Sequence, residues 1–215
     1  MSTASSPSEQ RLVLGGVSWQ TYLRVLRAFD DRHLRITYDR GALEIMTLSP
    51  EHERFKCLLA YFILVLVEEL GWNMASYGSM TFKRRRRKRG LEPDECYWIQ
   101  SEPLVRGKDV IDLRRDPPPD LVLEIDWTHS ALNRLRIYAV LRVPEIWQFD
   151  GQSLRVHLLG SDGKYAESAQ SRAFPFLPMS DVTRFLGMRA NLSETDLVRQ
   201  FRSWVRERIA AGWLG

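Results

Sequence analysis

The chain has 215 residues, 44% of them hydrophobic and 27% charged, which suffices for one substantial core and has the balance of an ordinary globular protein. Its net charge of +4 comes from 31 Lys and Arg against 27 Asp and Glu, so a uniformly basic protein that coats nucleic acid is excluded. Two cysteines give no disulfide framework, and the longest apolar run, Cys57 to Val67, is far shorter than the ~20 residues a membrane helix needs. With no secretory pattern in the polar opening, the expectation is a cytoplasmic chain with reduced thiols.

The serine-rich residues 1–10 read as a flexible tail, residues 11–190 as the folded domain, and 191–215 as a C-terminal helix packed on it. Ser18 is placed to cap a helix on which Tyr22, Leu23, Leu26 and Phe29 recur at helical spacing. Leu34–Tyr38 and Ala42–Met46 flank Asp39-Arg40-Gly41, a hairpin signal. Ser49-Pro50-Glu51 opens a long helix, ending near Gly71, whose centre is apolar all round and is therefore expected to be buried. Strands are expected over 72–77 and 94–99. Between them lies the run Lys83-Arg84-Arg85-Arg86-Arg87-Lys88-Arg89, followed by Gly90 and read as a mobile loop.

Residues 100–119 read as a proline-rich loop leading into Asp120-Leu121-Val122-Leu123-Glu124-Ile125-Asp126, a strand with Leu121, Leu123 and Ile125 on one face and Val122, Glu124 and Asp126 on the other. A helix over 130–141, a hairpin of 144–149 with 154–159, a short strand at 164–167 and a helix capped by Ser193 complete the chain. The order predicts an α/β or α+β fold with a mixed central sheet flanked by helices.

Acids on so apolar a strand are costly to bury unless paired, protonated or bound to a cation. Asp94 and Glu124, with Asp126 beside them and a helix-borne acid, supply the hard oxygens that Mg²⁺ takes, with Mn²⁺ as substitute. Glu53 is the candidate on the helix, with Glu51 and His52 competing for the place. Each acid also has a plainer reading, as a turn residue, a helix-dipole residue or the partner of an arginine. Arg134, one turn before Tyr138, can hold a phosphate or serve as a structural partner to Asp126. His129 follows Asp126 closely. The seven cations of residues 83–89 suit a nucleic-acid backbone, or simply a solvated loop.

The ordered segments Glu92–Ile99, Pro118–Asp126, Asn133-Arg134-Leu135 with Ile137-Tyr138-Ala139, and Val143–Trp147 resemble the Uma-type family of restriction-endonuclease-like proteins, within the PD-(D/E)XK nuclease-like superfamily. The resemblance runs from about Ser18 to Phe185. It implies a restriction-endonuclease-like fold and Mg²⁺-dependent phosphodiester chemistry, with Asp94 and Glu124 as the two acids and Glu53 as the helix acid. The superfamily's lysine two residues after the second acid is replaced here by Asp126, and the corresponding position on the next helix is Arg134. Arginine stays charged and cannot serve as a base. DNA, or RNA, is the implied partner, a homodimer the expected assembly, and nucleic-acid binding without cleavage the alternative.

Overall fold

The computed structural model describes residues 9–30, 32, 34–126 and 130–213. Its elements in chain order are β1 (Arg11–Leu14), α1 (Trp19–Ala28), β2 (Leu34–Asp39), β3 (Ala42–Thr47), α2 (Pro50–Glu69), β4 (Ala75–Ser76), β5 (Phe82–Arg84), β6 (Arg89–Leu91), β7 (Glu95–Trp98), β8 (Leu121–Ile125), α3 (Arg134–Leu141), β9 (Glu145–Phe149), β10 (Leu154–Leu159), β11 (Tyr165–Ser168), α4 (Met179–Gly187) and α5 (Glu194–Ala210). They form a restriction-endonuclease-like α+β architecture with two sheets. One has the order β1-β3-β2-β6-β5, the other β11-β10-β9-β8-β7-β4. No helix among the described residues is long and apolar enough to cross a membrane.

The second sheet carries the core. β8 pairs antiparallel with β7 and parallel with β9, and α3 makes the crossover a parallel pair requires. Leu121, Leu123 and Ile125 join the α2, α4 and α5 side chains in one cluster, while Val122 joins Ile137, Tyr138 and Leu141 of α3 in another. The alternation read from the sequence therefore holds, and it puts Glu124 on the α3 side. Asp120 at the strand entrance is structural. Its Oδ2 accepts from the backbone N of Ile99 and Ser101 and from Ser101 Oγ, closing the turn after β7.

Local capping rules set the helix starts. Ser18 Oγ accepts from Thr21 N, and Ser49 Oγ accepts from His52 N with Pro50 in the first turn. Gly71 follows α2 at φ +66°, a conformation glycine adopts without a Cβ clash. Ser193 Oγ accepts from Asp196 N, but Asp196 reaches back only as far as that hydroxyl, at 2.7 Å, being one methylene shorter than glutamate.

Several expectations need correction. The centre of α2 is not buried all round, since Tyr61 and Leu64 are 44% and 42% exposed on the side away from the sheet. α3 starts at Arg134 rather than Ser130, because Ser130 Oγ and Ala131 N are both tied to the Glu44 carboxylate on β3 and Asn133 then provides the cap. The basic run is a hairpin rather than a loop: Lys83 pairs with Gly90 and Arg84 with Arg89 across a 3-10 turn at Arg85–Arg87. Gly90 is needed for close packing, because a Cβ there would lie 2.2 Å from the Tyr22 hydroxyl. Glu9 and Gln10 already bond to His52 and Thr47, and β1 continues from them as an unforeseen edge strand on β3. α4 was also unforeseen.

Candidate active site

The β7–β8 register pairs Tyr97 with Leu121, Cys96 with Val122 and Glu95 with Leu123. Asp94 immediately precedes β7, just beyond the last ladder pair, and Glu124 is the fourth residue of β8. Both are buried, Asp94 accepts from the backbone N of Ile125 beside Glu124, and its charge reaches the Glu124 carboxyl.

Asp94 is held on three sides. Its Oδ2 accepts from Ile125 N at 2.7 Å and its Oδ1 from Arg35 Nε at 3.1 Å. His52 Nε2 lies 2.9 Å from Oδ1, an ion-pair contact outside hydrogen-bond alignment. The other ring nitrogen of His52 meets Glu9 Oε1 at 2.6 Å. Burial alone would raise the Asp94 carboxyl, but His52 and Arg35 pull it well below the usual carboxylate range. Burial would likewise lower His52, yet Asp94 and Glu9 raise it to about 9, so the ring is an imidazolium at neutral pH.

Glu124 is treated differently. Its Oε1 accepts from Arg134 Nη2 at 2.7 Å and from the Tyr138 hydroxyl. Arg134 also donates through Nη1 to Thr37 Oγ1 and through Nη2 to the Glu92 carbonyl, both at 2.7 Å, while its buried Nε has no acceptor among the described residues. Burial pushes the Glu124 carboxyl up to about 7 against the pull of Arg134, and the Asp94 charge adds to the rise. Burial holds the Tyr138 phenol neutral, so it donates to the carboxylate. Beside these groups opens a cavity of about 320 Å³, with Glu124, Asp126, Asn133, Arg134, Tyr138 and Gln148 in its wall.

The remaining expected residues fall outside this group. Glu53 binds Lys56 Nζ at 2.5 Å, and the residue α2 delivers to Asp94 is His52. Asp126 sits on the cavity rim, its Oδ1 accepting from Arg11 and Ser130 N and its Oδ2 from Gln148. Arg134 pairs with Glu124 and not with Asp126. His129 lies outside the described residues. Within the basic run, Arg89 is buried on Asp39 and Arg84 donates to the Leu113 carbonyl. Lys83, Arg85, Arg86, Arg87 and Lys88 are exposed, with no ion pair among the described residues. Arg35 and Glu9 were not foreseen.

Among the described residues no three His, Cys, Asp or Glu side chains are grouped to hold an ion. The donors nevertheless suit a hard cation that keeps water and substrate oxygens as its other ligands, because such an ion takes only one or two protein carboxylates. Asp94 and Glu124, which lie near each other at the end of β8, are the candidates for these.

The His52 contacts carry a stability prediction. A histidine whose pKa rises on folding stabilises the fold fully below its unfolded value near 6.5, and that contribution is lost as pH rises through about 9. Thermal unfolding of wild type and His52→Gln, compared between pH 6 and pH 10, is expected to give a Tm difference that shrinks with rising pH. A difference that stays constant or grows would rule out the imidazolium.

A family model described as Uma2, putative restriction endonuclease, matches residues 19–193. No curated protein matches the chain.

Proposed function

The chain belongs to the Uma2 family of putative restriction endonucleases, and from that premise we propose that it is a Mg²⁺-dependent endonuclease acting on DNA. What supports this reading is the nearness of two buried acids, Asp94 held ionised just before β7 and Glu124 on β8. Nucleases of the restriction-endonuclease-like class generally use divalent metals. Asp94 and Glu124 would hold the ion, which when bound would activate a water and offset charge on the phosphate.

The chain's own groups prepare that site. Arg35 and His52 keep Asp94 ionised from the Oδ1 side, and the Ile125 backbone N fixes Oδ2. Tyr138 and Arg134 orient Glu124. Arg134 is permanently charged, so its part is to stabilise the negative charge that builds on the phosphate rather than to take a proton. The tip of the β5–β6 hairpin supplies five exposed cations to follow the phosphate backbone.

A second reading, binding without hydrolysis, is favoured by one observation. Arg134 is already committed to Thr37, Glu92 and Glu124 in a position where the superfamily's chemistry has a lysine. Incubation of the protein with supercoiled plasmid, with Mg²⁺ or Mn²⁺ and with chelator, separates the two. Nicking that needs the added ion is the expected result. Salt-sensitive binding with no nicking in either ion would establish the second reading.

The hairpin makes its own prediction. Replacing Arg85, Arg86 and Arg87 together by alanine should weaken DNA binding uniformly across sequences and flatten the dependence of log K on log salt by up to about three units. Fluorescence anisotropy at several salt concentrations measures both, and an unchanged slope removes the hairpin from the interface.

A further inference from the structure

A second cavity, of about 460 Å³, lies between α1, the β5 strand and the segment 110–114. That volume falls in the range of about 300–1,000 Å³ typical of small-ligand pockets. Its floor is apolar, with Leu23, Phe82, Ile111 and Leu113 in its lining and Val110, 78% exposed, at its side. The wall is braced: Arg84 of β5 donates to the Leu113 carbonyl at 2.7 Å, and Asp116 accepts from Asp112 N and from Lys108.

The charges at this cavity are unequal. Arg114 is neutralised by two-pronged hydrogen bonding to Asp112. Lys83 and Arg85, which also line the cavity, have no acidic partner among the described residues. A surface that only follows phosphates needs cations and no apolar floor. An apolar floor under two unpaired cations is complementary to a flat ring bearing an anionic group. In a duplex the bases are stacked inside and cannot reach such a floor, whereas an unpaired strand offers both ring and phosphate.

We propose that this groove binds an unpaired nucleotide of the nucleic-acid strand, its base on the Leu23–Phe82–Ile111 floor and its phosphate on Lys83 and Arg85. The proposal deepens the nucleic-acid reading above and rests on it. It implies that the protein prefers substrates with a single-stranded or frayed segment next to the hairpin.

The test compares a fluorescent short oligothymidylate with a duplex of equal length, using the full chain in chelator so that nothing is cut. Leu23→Gln in the floor and Val110→Gln at its side remove apolar surface without changing charge, and the exposure of Val110 makes its variant safe for folding. Both are expected to bind the oligothymidylate about fivefold more weakly, as loss of part of the apolar contact with the base implies, with duplex affinity changed less than twofold. If the Val110 variant binds both probes as wild type does, or loses both equally, the groove is not a nucleotide site. The hairpin's role would then still stand on the Arg85–Arg87 substitution. If wild type binds neither probe at low salt, the nucleic-acid reading falls, and this proposal with it.

Discussion

Replacing Glu124 by glutamine is expected to reduce metal-dependent plasmid nicking by about 10²–10³-fold or more, the scale of losing one charge-stabilising group in an active site. The fold should survive. Burial raises this carboxyl against the pull of Arg134, so an uncharged side chain is tolerated at this position. The amide oxygen can still accept from Arg134 and Tyr138, which retains the hydrogen bonds that a truncation to alanine would break. Alanine would also leave the buried Arg134 guanidinium without its counterion, a defect that typically costs about 3–5 kcal/mol. Plasmid relaxation beside a thermal melt separates the two effects. Wild-type nicking by a folded Glu124→Gln protein would remove this residue, and the proposed ion site, from the mechanism.

The second large effect concerns stability and lies away from the cavity. Glu145 is fully buried and makes no ion pair among the described residues. Its Oε1 accepts from Trp147 Nε1 and Ser171 Oγ, both at 2.6 Å, and its Oε2 accepts from the backbone N of Arg172 and Ala173, both at 2.8 Å. Four donors thus solvate one carboxylate, which is how a buried charge can persist without a counterion. The bonds anchor the 171–173 segment to β9 and bring Phe174 against Trp147 and Trp72. Glu145→Ala would leave four donors without an acceptor at about 1–3 kcal/mol each, so a loss of about 4 kcal/mol or more is expected. For a chain of this size that corresponds to a Tm lowered by roughly 8–16 °C. Denaturant unfolding measures it directly. A loss under about 1 kcal/mol would show that the carboxylate is not the anchor.

Glu145 also shows how a motif can mislead. It stands in the Val143–Trp147 segment that contributes to the family resemblance, and an acid in such a segment invites a catalytic reading. Its four contacts make it a structural acceptor instead. Asp120, next to the proline pair, is the same case, being consumed by the turn after β7.

Rules that act over a few residues were enough to locate most elements. Alternation along 121–126 placed Glu124 on the face opposite Leu123, and Ser18, Ser49 and Ser193 marked three helix starts that the structure retains. Those rules stop at the element's edge. Whether α2 presents His52 or Glu53 to Asp94 depends on a rotation of about 100° per residue around the helix axis, which is set by how Phe55, Leu58, Leu59 and Phe62 seat on the sheet. The free charges in the basic run were equally hidden, because Arg84 and Arg89 find Leu113 and Asp39 only when distant strands meet. Composition and periodicity thus determined the elements and the candidate acids. The pairing of charges, and with it the site, was decided by tertiary packing, since a buried ion takes its partner from whatever the fold brings within about 3 Å.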